Sequence, residues 1–269
     1  MRTRFAPSPT GRLHLGHAFS ALVAADLARA ERGEFLLRIE DIDRGRCRPE
    51  FEAGLVEDLR WLGLTWPEPP LRQSARAPAY AAALDRLRAL GLLYACRCTR
   101  RDIALSAPQE GAEGPIYPGT CRGKLLPEAG AALRLDLRAA LAQAGPLAWH
   151  EVGPWHAGAR RLDPRLAAEL GDPVLARKDL GVSYHLAVVV DDAAQAITHV
   201  VRGEDLRPVT PLHRLLQALL DLPTPVWLHH RLVRDEAGRR LAKRDDARAL
   251  ATLRADGVTP AEVRAMVGL

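Results

Sequence analysis

The first third of the chain alternates short apolar runs with segments of helical periodicity. Residues 3–6 and 35–39 are short apolar runs that predict strands. Residues 49–62 and 79–90 carry apolar side chains at helical spacing, which predicts helices with one face against a core. Strands that alternate with helices are typical of a parallel sheet with crossover helices. The pattern therefore predicts an α/β fold.

The pattern changes after the second helix and later returns. Residues 96–160 contain Gly-Pro breaks, few periodic runs and three of the four cysteines. Regular pattern returns at residues 174–177, 184–190 and 197–201, followed by a predicted helix at 211–220. A sheet that is interrupted and then resumed predicts a split Rossmann-like nucleotide-binding domain with a small α+β insertion.

These observations predict the domain boundaries. We assign residues 1–92 and 174–225 to the split parallel domain and residues 93–173 to the insertion. Residues 226–269 form a basic loop and a short helical C-terminal tail, in which Thr259-Pro260 predicts a helix start.

Composition narrows the class of protein. The chain has 269 residues, of which 48% are hydrophobic and 26% charged, which is ordinary for a globular protein. Its longest apolar runs are far shorter than a membrane span, and no apolar segment follows Arg2 and Arg4 as in a signal peptide. Four cysteines do not suggest a disulfide framework. We therefore expect a cytoplasmic protein without a membrane partner. Separately, we expect the chain to be a monomer.

The charge of the chain is only weakly informative about its partners. A net charge of +5 permits a polyanionic partner. Nearly all of the basic residues are arginine, and alanine and leucine are abundant, as in proteins from GC-rich genomes. The charge alone therefore does not indicate that the chain binds nucleic acid.

The most informative motif lies at residues 6–17, between the first strand and the first helix. Two prolines and Gly11 force a turn there. His14 and His17 then lie three residues apart at the start of a helix, whose free N–H groups and positive dipole end suit a phosphate. Gly16 leaves room for a flat ring to approach the backbone. The alternative is a turn whose two histidines merely cap the helix.

The segment from Arg4 through His17 resembles the nucleotide-binding signature of the glutamyl-type class I aminoacyl-tRNA synthetases. Further segments agree with that family in the same order along the chain. These segments are residues 38–43, 184–187, 202–205 and 241–244. Within this family, the chain is similar to a short paralogue.

The resemblance implies that ATP binds as a substrate, together with Mg²⁺, at His14, Gly16 and His17. Lys243 would act with them, because residues 238–244 resemble the mobile K-M-S-K-S loop of class I synthetases. Two residues depart from that motif: Arg240 replaces its first lysine and Ala242 its serine. The alternative for this string is a solvated basic turn.

A site for L-glutamate must bind two carboxylates and one ammonium, for which arginines and an acid are the suitable partners. The resemblance assigns the carboxylates to Arg4 and Arg202 and the ammonium to Glu40. A neutral amide would leave a buried arginine unpaired, which favours glutamate over glutamine. The remaining pocket residues implied by the resemblance are Phe5, Ala6, Pro7, Ser8 and Tyr184.

Asp41 and Asp43 lie beside Glu40 and have several possible roles. They could bind magnesium or form part of a loop surface. They could also orient Arg38 or cap the helix that follows.

Cys96-x-Cys98 and the later Cys121 form a candidate structural zinc site. Zinc prefers four soft or borderline ligands, and the three cysteines supply only three. His150 or His156 could be the fourth ligand, whereas the resemblance implies Tyr117. The alternative is that these cysteines are buried and unrelated to a metal.

The resemblance also implies an RNA partner. Only about 25 residues follow Lys243, too few for an anticodon-binding domain. The resemblance to the short paralogue implies an enzyme that places glutamate on the queuosine base of tRNA(Asp). The partner would then be the anticodon stem-loop itself. The alternatives are a truncated glutamyl-tRNA synthetase that charges an acceptor end, and a degenerate synthetase-like RNA-binding module.

Overall fold

The computed structural model describes residues 1–107, 109–111, 114–154, 156–179, 181–233 and 249–269. One set of parallel strands comprises β1 (Arg2–Phe5), β2 (Glu34–Ile39) and β3 (Leu71–Arg72), with β2 in the middle. A second set comprises β11 (His199–Gly203), β12 (Val226–His230) and β8 (Ala148–Glu151), and β9 (Gly158–Arg161) pairs antiparallel at its edge.

The two sets lie side by side, because β1 packs beside β11. The backbone N–H of Thr198 donates to the carbonyl of Arg2 at 3.0 Å, and Arg4 Nη1 donates to the carbonyl of Val201 at 3.2 Å. The strand order across both sets is therefore β3-β2-β1-β11-β12-β8-β9. The parallel sheet that the alternating pattern predicted is confirmed.

The helices predicted at residues 49–62, 79–90 and 211–220 are confirmed to within two residues. The longer helices are α1 (Leu15–Ala30), α2 (Pro49–Trp61), α3 (Ala77–Ala89), α5 (Leu137–Ala144), α7 (Tyr184–Ala194) and α8 (Thr210–Leu219). The short helices are α4 (Arg100–Ser106), α6 (Leu166–Leu170), α9 (Leu250–Ala255) and α10 (Pro260–Met266).

Helix α1 is the central packing element of the parallel sheet. Ala18, Phe19, Ala21 and Leu22 are almost completely buried, and the helix contacts β1, β2 and β11. Small alanines let the helix approach the sheet closely, while Phe19 and Leu22 fill the remaining volume. This packing fixes the N-terminus of α1 at the carboxyl end of β1.

A separate antiparallel sheet contains β4 (Leu93–Cys96), β7 (Ala132–Leu135) and β10 (Val174–Ala176), with β7 in the middle. A small hairpin, β5 (Glu110–Gly111) and β6 (Gly114–Pro115), lies near it in sequence. The antiparallel sheet shares one continuous apolar core with α3, α7 and α8.

The predicted boundaries of the insertion differ from the observed pairing. Strands β8 and β9 lie within residues 93–173 but extend the parallel sheet, whereas β10, assigned to the resumed domain, pairs with β7. The segment 184–190 is part of helix α7. A short apolar run does not identify its partner strand, so boundaries drawn from the pattern alone could not recover these pairings.

The C-terminal part contains two short helices, as predicted. Thr259 caps α10: its hydroxyl accepts from the backbone N–H of Glu262 at 3.3 Å, and the Glu262 carboxylate accepts from the N–H of Thr259 at 2.7 Å. Val263 of this helix is fully buried against the α1 core. Throughout the ranges that the structure describes, every helix is too short or too polar to cross a membrane.

The Thr259 cap generates a stability prediction. Thr259→Ala removes the hydroxyl that satisfies a helix N-terminal N–H, and we expect the free energy of unfolding to fall by about 1 kcal/mol. Denaturant unfolding and amide exchange at residues 263–266 measure the change. Thr65→Ala, at an exposed loop position, is the control. Equal effects of the two substitutions would contradict a specific role for the cap.

Candidate active site

A cavity of about 510 Å³ opens at the carboxyl ends of β1, β11 and β12. It lies where β1 meets β11, with β2 following on one side and β12 on the other, so the strand order reverses there. Open α/β sheets bind ligands at this kind of switch point. The lining includes Arg4, Phe5, Ala6, His14, Gly16, His17, Glu40, Tyr184 and Arg202. Most residues predicted from the sequence therefore share one cavity.

His14 and His17 lie together at the N-terminus of α1. The Nδ1 atom of His14 accepts from the N–H of Gly16 at 3.1 Å, and the Nδ1 atom of His17 accepts from the N–H of His14 at 3.2 Å. Their ring centroids are 3.8 Å apart. The histidines therefore cap the helix and line the cavity at once, so the two interpretations of the motif are compatible.

Gly16 has a second reason to be glycine. A Cβ at this position would lie 3.0 Å from Cε1 of the His14 ring. Since the ring is fixed by its capping hydrogen bond, a side chain here would displace His14.

Lys243, Arg240 and Ala242 lie outside the described residues. The chain on either side of them is informative. Val233 lines the cavity, and Ala249 pairs with His14 in an isolated antiparallel bridge. The N–H of Leu250 donates to the carbonyl of Leu13 at 2.9 Å. The described residues on the two sides of the segment 234–248 therefore lie at the cavity, in the case of Val233, and beside His14, in the case of Ala249.

Arg4 is held by Asp192, a buried residue of α7. Its Nε donates to Asp192 Oδ1 at 2.9 Å and its Nη2 to Oδ2 at 3.3 Å. Arg38 donates from Nη1 to the same Oδ1 at 2.6 Å and from Nη2 to Glu40 Oε1 at 3.1 Å. Burial alone would raise the pKa of Asp192, but Arg4 and Arg38 outweigh it and lower that pKa. The carboxylate is therefore ionised and shared by two arginines.

Arg202 is equally buried but is held by neutral partners. Its Nε donates to His229 Nε2 at 3.3 Å, its Nη1 to His213 Nδ1 at 3.0 Å and its Nη2 to Thr210 Oγ1 at 2.8 Å. Burial lowers the pKa of His213 well below its usual value and that of His229 to about 2, so both rings are neutral. Among the described residues, no carboxylate lies within 4.0 Å of Arg202.

The cavity therefore carries one excess positive charge. Counted by formal charge, Arg4, Arg202 and Arg231 line the cavity with Glu40 and Asp205, and the buried Arg38 and Asp192 behind them cancel each other. Burial raises the pKa of Glu40, and its two neighbouring arginines oppose that shift. An unpaired buried cation is costly, so this arrangement favours a ligand with one net negative charge.

A larger cavity of about 710 Å³ adjoins the first, and both are lined by Glu40 and Tyr184. Tyr184 is the first residue of α7, and burial raises the pKa of its hydroxyl. Ser8 is exposed and lines the larger cavity rather than the smaller one. Pro7 is buried outside both linings, and its carbonyl accepts from the N–H of Glu40 at 3.0 Å.

The three cysteines form a compact cluster with Tyr117. All three sulfur atoms lie within 4.8 Å of one another, and the Sγ atoms of Cys98 and Cys121 are 3.5 Å apart. The Tyr117 hydroxyl lies 3.4 Å from Cys96 Sγ and 3.9 Å from Cys98 Sγ. Thiolates around tetrahedral zinc are about 3.8 Å apart, given Zn–S bonds near 2.3 Å. The donor set therefore fits a zinc ion.

Neither histidine proposed as a fourth ligand joins this cluster. His150 lies on β8 in the parallel sheet, and His156 lies close enough to His229 to lower the pKa of that residue. The cysteine group is also the only cluster of three metal-ligating side chains within the ranges that the structure describes. Of the three residues considered as a fourth zinc ligand, Tyr117 therefore remains.

The two aspartates beside Glu40 both have partners within the protein. Asp41 accepts from the backbone N–H of Ser74 at 2.7 Å and from its hydroxyl at 2.6 Å. Asp43 pairs with Arg46 at 2.6 Å. The expectation that they orient Arg38 is wrong, because Glu40 and Asp192 hold that residue.

Sequence reasoning missed Asp192, Thr210 and His213. Asp192 follows Asp191 inside an otherwise apolar helix, and a buried acid in such a context could have indicated a partner cation. Thr210 and His213 carried no comparable signal, since an isolated hydroxyl or ring on an amphipathic helix is common.

The shared carboxylate generates a second prediction. Asp192→Asn leaves two buried guanidinium groups without their common counter-ion, and we expect the free energy of unfolding to fall by about 3–5 kcal/mol. Denaturant unfolding measures the loss. Asp163→Asn removes the partner of the exposed Arg165 and serves as the control, with an unchanged midpoint. Similar midpoints for both variants would refute the role of Asp192.

Comparison with known proteins places this geometry in a family. The family model described as tRNA synthetases class I (E and Q), catalytic domain, matches residues 1–125 and 162–269. A glutamyl-Q tRNA(Asp) synthetase of Rhodobacter capsulatus is 56% identical, with 100% of both chains covered. One of Symbiobacterium thermophilum is 45% identical over 97% of this chain and 83% of its own.

A solved glutamate-tRNA synthetase from Elizabethkingia anophelis superposes with a TM-score of 0.73 at 29% identity. The match covers 91% of this chain, which spans only about half (53%) of that longer synthetase. The model match and the identities together show the family. The chain belongs to the class I tRNA synthetases, in the branch of the glutamyl-Q tRNA(Asp) synthetases, and is an enzyme of the ligase class.

Proposed function

We propose that this enzyme activates L-glutamate with ATP and transfers the glutamyl group to the queuosine base of tRNA(Asp). The observation that carries the proposal is Arg202, a buried guanidinium with only neutral partners in a cavity that also holds the histidine pair. The relative from Rhodobacter capsulatus, which matches over the full length of both chains, is named a glutamyl-Q tRNA(Asp) synthetase.

Glutamate matches the charge of the smaller cavity. Its two carboxylates and one ammonium give one net negative charge, which balances the excess positive charge of the site. Glutamine is neutral overall and would leave that charge uncompensated. In this proposal Arg202 pairs with a carboxylate and Glu40 accepts from the ammonium. Arg4 is already paired with Asp192. We therefore assign it the shaping of the pocket wall and a weaker electrostatic attraction for the ligand.

Activation requires a glutamate carboxylate oxygen to attack the α-phosphorus of ATP. A new C–O–P bond forms, the bond to the β-phosphate oxygen breaks, and pyrophosphate leaves with the electron pair. The N-terminus of α1 with His14 and His17 is suited to stabilise the phosphate oxygens. We assign the second stabilising charge to Lys243, since Val233 lines the same cavity as His14 and Ala249 pairs with His14.

Mg²⁺ would accompany the nucleotide. The described part of the chain offers no cluster of three carboxylates near the histidines. Phosphate oxygens and water are common ligands of this ion, so the protein need supply few ligands of its own.

In the transfer step a hydroxyl of the acceptor attacks the carbonyl carbon of glutamyl-adenylate. An ester bond forms, AMP leaves, and the hydroxyl proton is lost to solvent or to a nearby base. Because Glu40 and Tyr184 border both cavities, the acceptor can reach the activated carboxyl from the larger one. RNA loops with unstacked bases are suitable acceptors.

Zinc, held by Cys96, Cys98, Cys121 and Tyr117, would be structural. Four protein ligands leave no open coordination position for chemistry. The residues would link β4 to the turn that contains Cys121 and so stabilise the wall of the larger cavity.

Two assays test the proposed function together. We expect glutamate-dependent exchange of pyrophosphate into ATP without RNA, because the residues proposed to bind ATP and glutamate all belong to this chain. We also expect labelled glutamate to be transferred to a tRNA(Asp) stem-loop that carries queuosine and not to one that carries guanosine. Strict dependence of exchange on RNA would contradict the first expectation. Transfer to an unmodified acceptor end would instead indicate a glutamyl-tRNA synthetase, and absence of both reactions a binding module.

Arg202 provides the sharpest test of amino-acid selection. Arg202→Gln removes the uncompensated charge, and we expect the KM for glutamate to rise and the preference for glutamate over glutamine to fall by more than tenfold. A charged hydrogen bond lost from a buried site costs on the order of 2–5 kcal/mol. Exchange measured with both amino acids gives the ratio.

Arg4→Gln is the matched comparison for that experiment. It breaks an internal ion pair, so we expect lower thermal stability and a smaller change of the glutamate-to-glutamine ratio. A larger change of the ratio at Arg4 than at Arg202 would reverse the two assignments.

A further inference from the structure

The larger cavity lies between the parallel sheet and the antiparallel sheet. Ser8, Glu40 and Tyr184 line its side toward the glutamate site, and Tyr117, Arg134 and Asp172 line its opposite side. Its volume of about 710 Å³ is in the range of sites for small organic ligands. The proposed activation step does not use this opposite side.

Arg134 occupies an unusual position for a charged residue. It lies on β7, the middle strand of the antiparallel sheet, opposite Tyr94 of β4 and Val174 of β10. Leu133 and Leu135 of the same strand belong to the apolar core, so Arg134 faces the other way, toward the cavity. Only 7% of Arg134 is exposed. A buried cation in a central strand requires a specific partner.

The protein satisfies Arg134 only in part. Its Nη1 donates to the backbone carbonyl of Asp172 at 2.6 Å, and its guanidinium lies 3.8 Å from the centroid of the Tyr117 ring. Its Nε is buried without a hydrogen-bond partner. The Asp172 carboxylate is occupied by Arg122, by the hydroxyl of Tyr94 and by the N–H of Leu137. In the described ranges, no carboxylate oxygen lies within 4.0 Å of the Arg134 nitrogens.

The other charges in the cavity indicate what this cation binds. Asp43, Glu169 and Glu40 line the same space as Arg46, Arg100 and Arg177, so the cavity is not an anion-binding funnel. A mixed lining suits a neutral polar group that both donates and accepts hydrogen bonds. A guanine-type base meets this requirement, because it offers a carbonyl oxygen beside N–H donors, and arginine is the usual partner of that oxygen.

We propose that the larger cavity binds the base of the RNA acceptor and that Arg134, stacked on Tyr117, donates to its carbonyl oxygen. The inference rests on the proposed function, since it concerns the base that receives glutamate. Queuosine is a 7-deazaguanosine: it keeps this carbonyl and lacks the N7 acceptor, so a single accepting atom meets the guanidinium. The acceptor hydroxyl then extends toward Glu40 and Tyr184, where the two cavities join.

The test compares Arg134→Gln with Arg138→Gln, which removes an exposed arginine of α5 outside the cavity. Transfer of labelled glutamate to a queuosine-bearing stem-loop and ATP–pyrophosphate exchange are measured on the wild type and both variants. We expect Arg134→Gln to lower the ratio of transfer to exchange at least tenfold through a higher KM for the stem-loop, with Arg138→Gln unchanged. Zinc content and melting temperature, measured on each protein, report whether the cluster beside Tyr117 stays intact.

Free queuosine nucleoside, which has no phosphate, distinguishes base recognition from backbone contact. We expect it to inhibit transfer by the wild type and to inhibit Arg134→Gln at least tenfold less effectively. Equal inhibition of both proteins would overturn the proposal, as would an unchanged transfer-to-exchange ratio. Loss of zinc in Arg134→Gln would assign the residue a structural role instead. If the wild type itself transfers nothing to the stem-loop, the proposed function fails independently of Arg134.

Discussion

The ion pairs around Asp192 are the interaction on which the site depends. One carboxylate of helix α7 receives hydrogen bonds from Arg4 of β1 and from Arg38 of β2. Three elements that are far apart in sequence are thereby joined at the carboxyl end of the sheet. Burial and two cations hold the group ionised, and the second arginine also orients Glu40. The positions of the cavity wall and of the candidate ammonium-binding acid therefore follow from one side chain.

Arg4 and Arg202 differ in role: Arg4 holds the fold together, whereas Arg202 is available to select the ligand. Both are buried arginines that line the same cavity, yet one is neutralised by the protein and the other is surrounded by neutral groups. Desolvation lowers the pKa of Arg202, which shows how incompletely the protein compensates it. A site that leaves one cation for its ligand has lower stability than one that pairs it internally, and gains selectivity for an anionic ligand in return.

The sequence predicted the helices and main strands well, because apolar periodicity reports which face is buried. It also identified half of the residues that line the smaller cavity, since the motif around His14 and the family resemblance extend over nearly the whole chain. The pairing of the strands was harder to predict from the sequence. Strand β8 belongs to the parallel sheet and β10 to the antiparallel one, and both pairings differ from the expected domain boundaries. Partner choice depends on contacts between distant segments, and Asp192 escaped notice for the same reason. The placement of Lys243 and the role of Arg4 in binding glutamate stay predictions.

Arg202, His213 and His185 form a hydrogen-bonded row, and this row determines which nitrogen of each histidine carries the proton. Arginine can only donate, so the Nδ1 atom of His213 must accept, and its proton lies on Nε2. That nitrogen is 3.2 Å from Nδ1 of His185, which therefore accepts in turn and carries its own proton on Nε2. His185 lines the larger cavity. The Arg202 guanidinium in the smaller cavity thus fixes the tautomer of His185 in the larger one. Hydrogen bonds in this row are all donated in the same direction, from the smaller cavity toward the larger one.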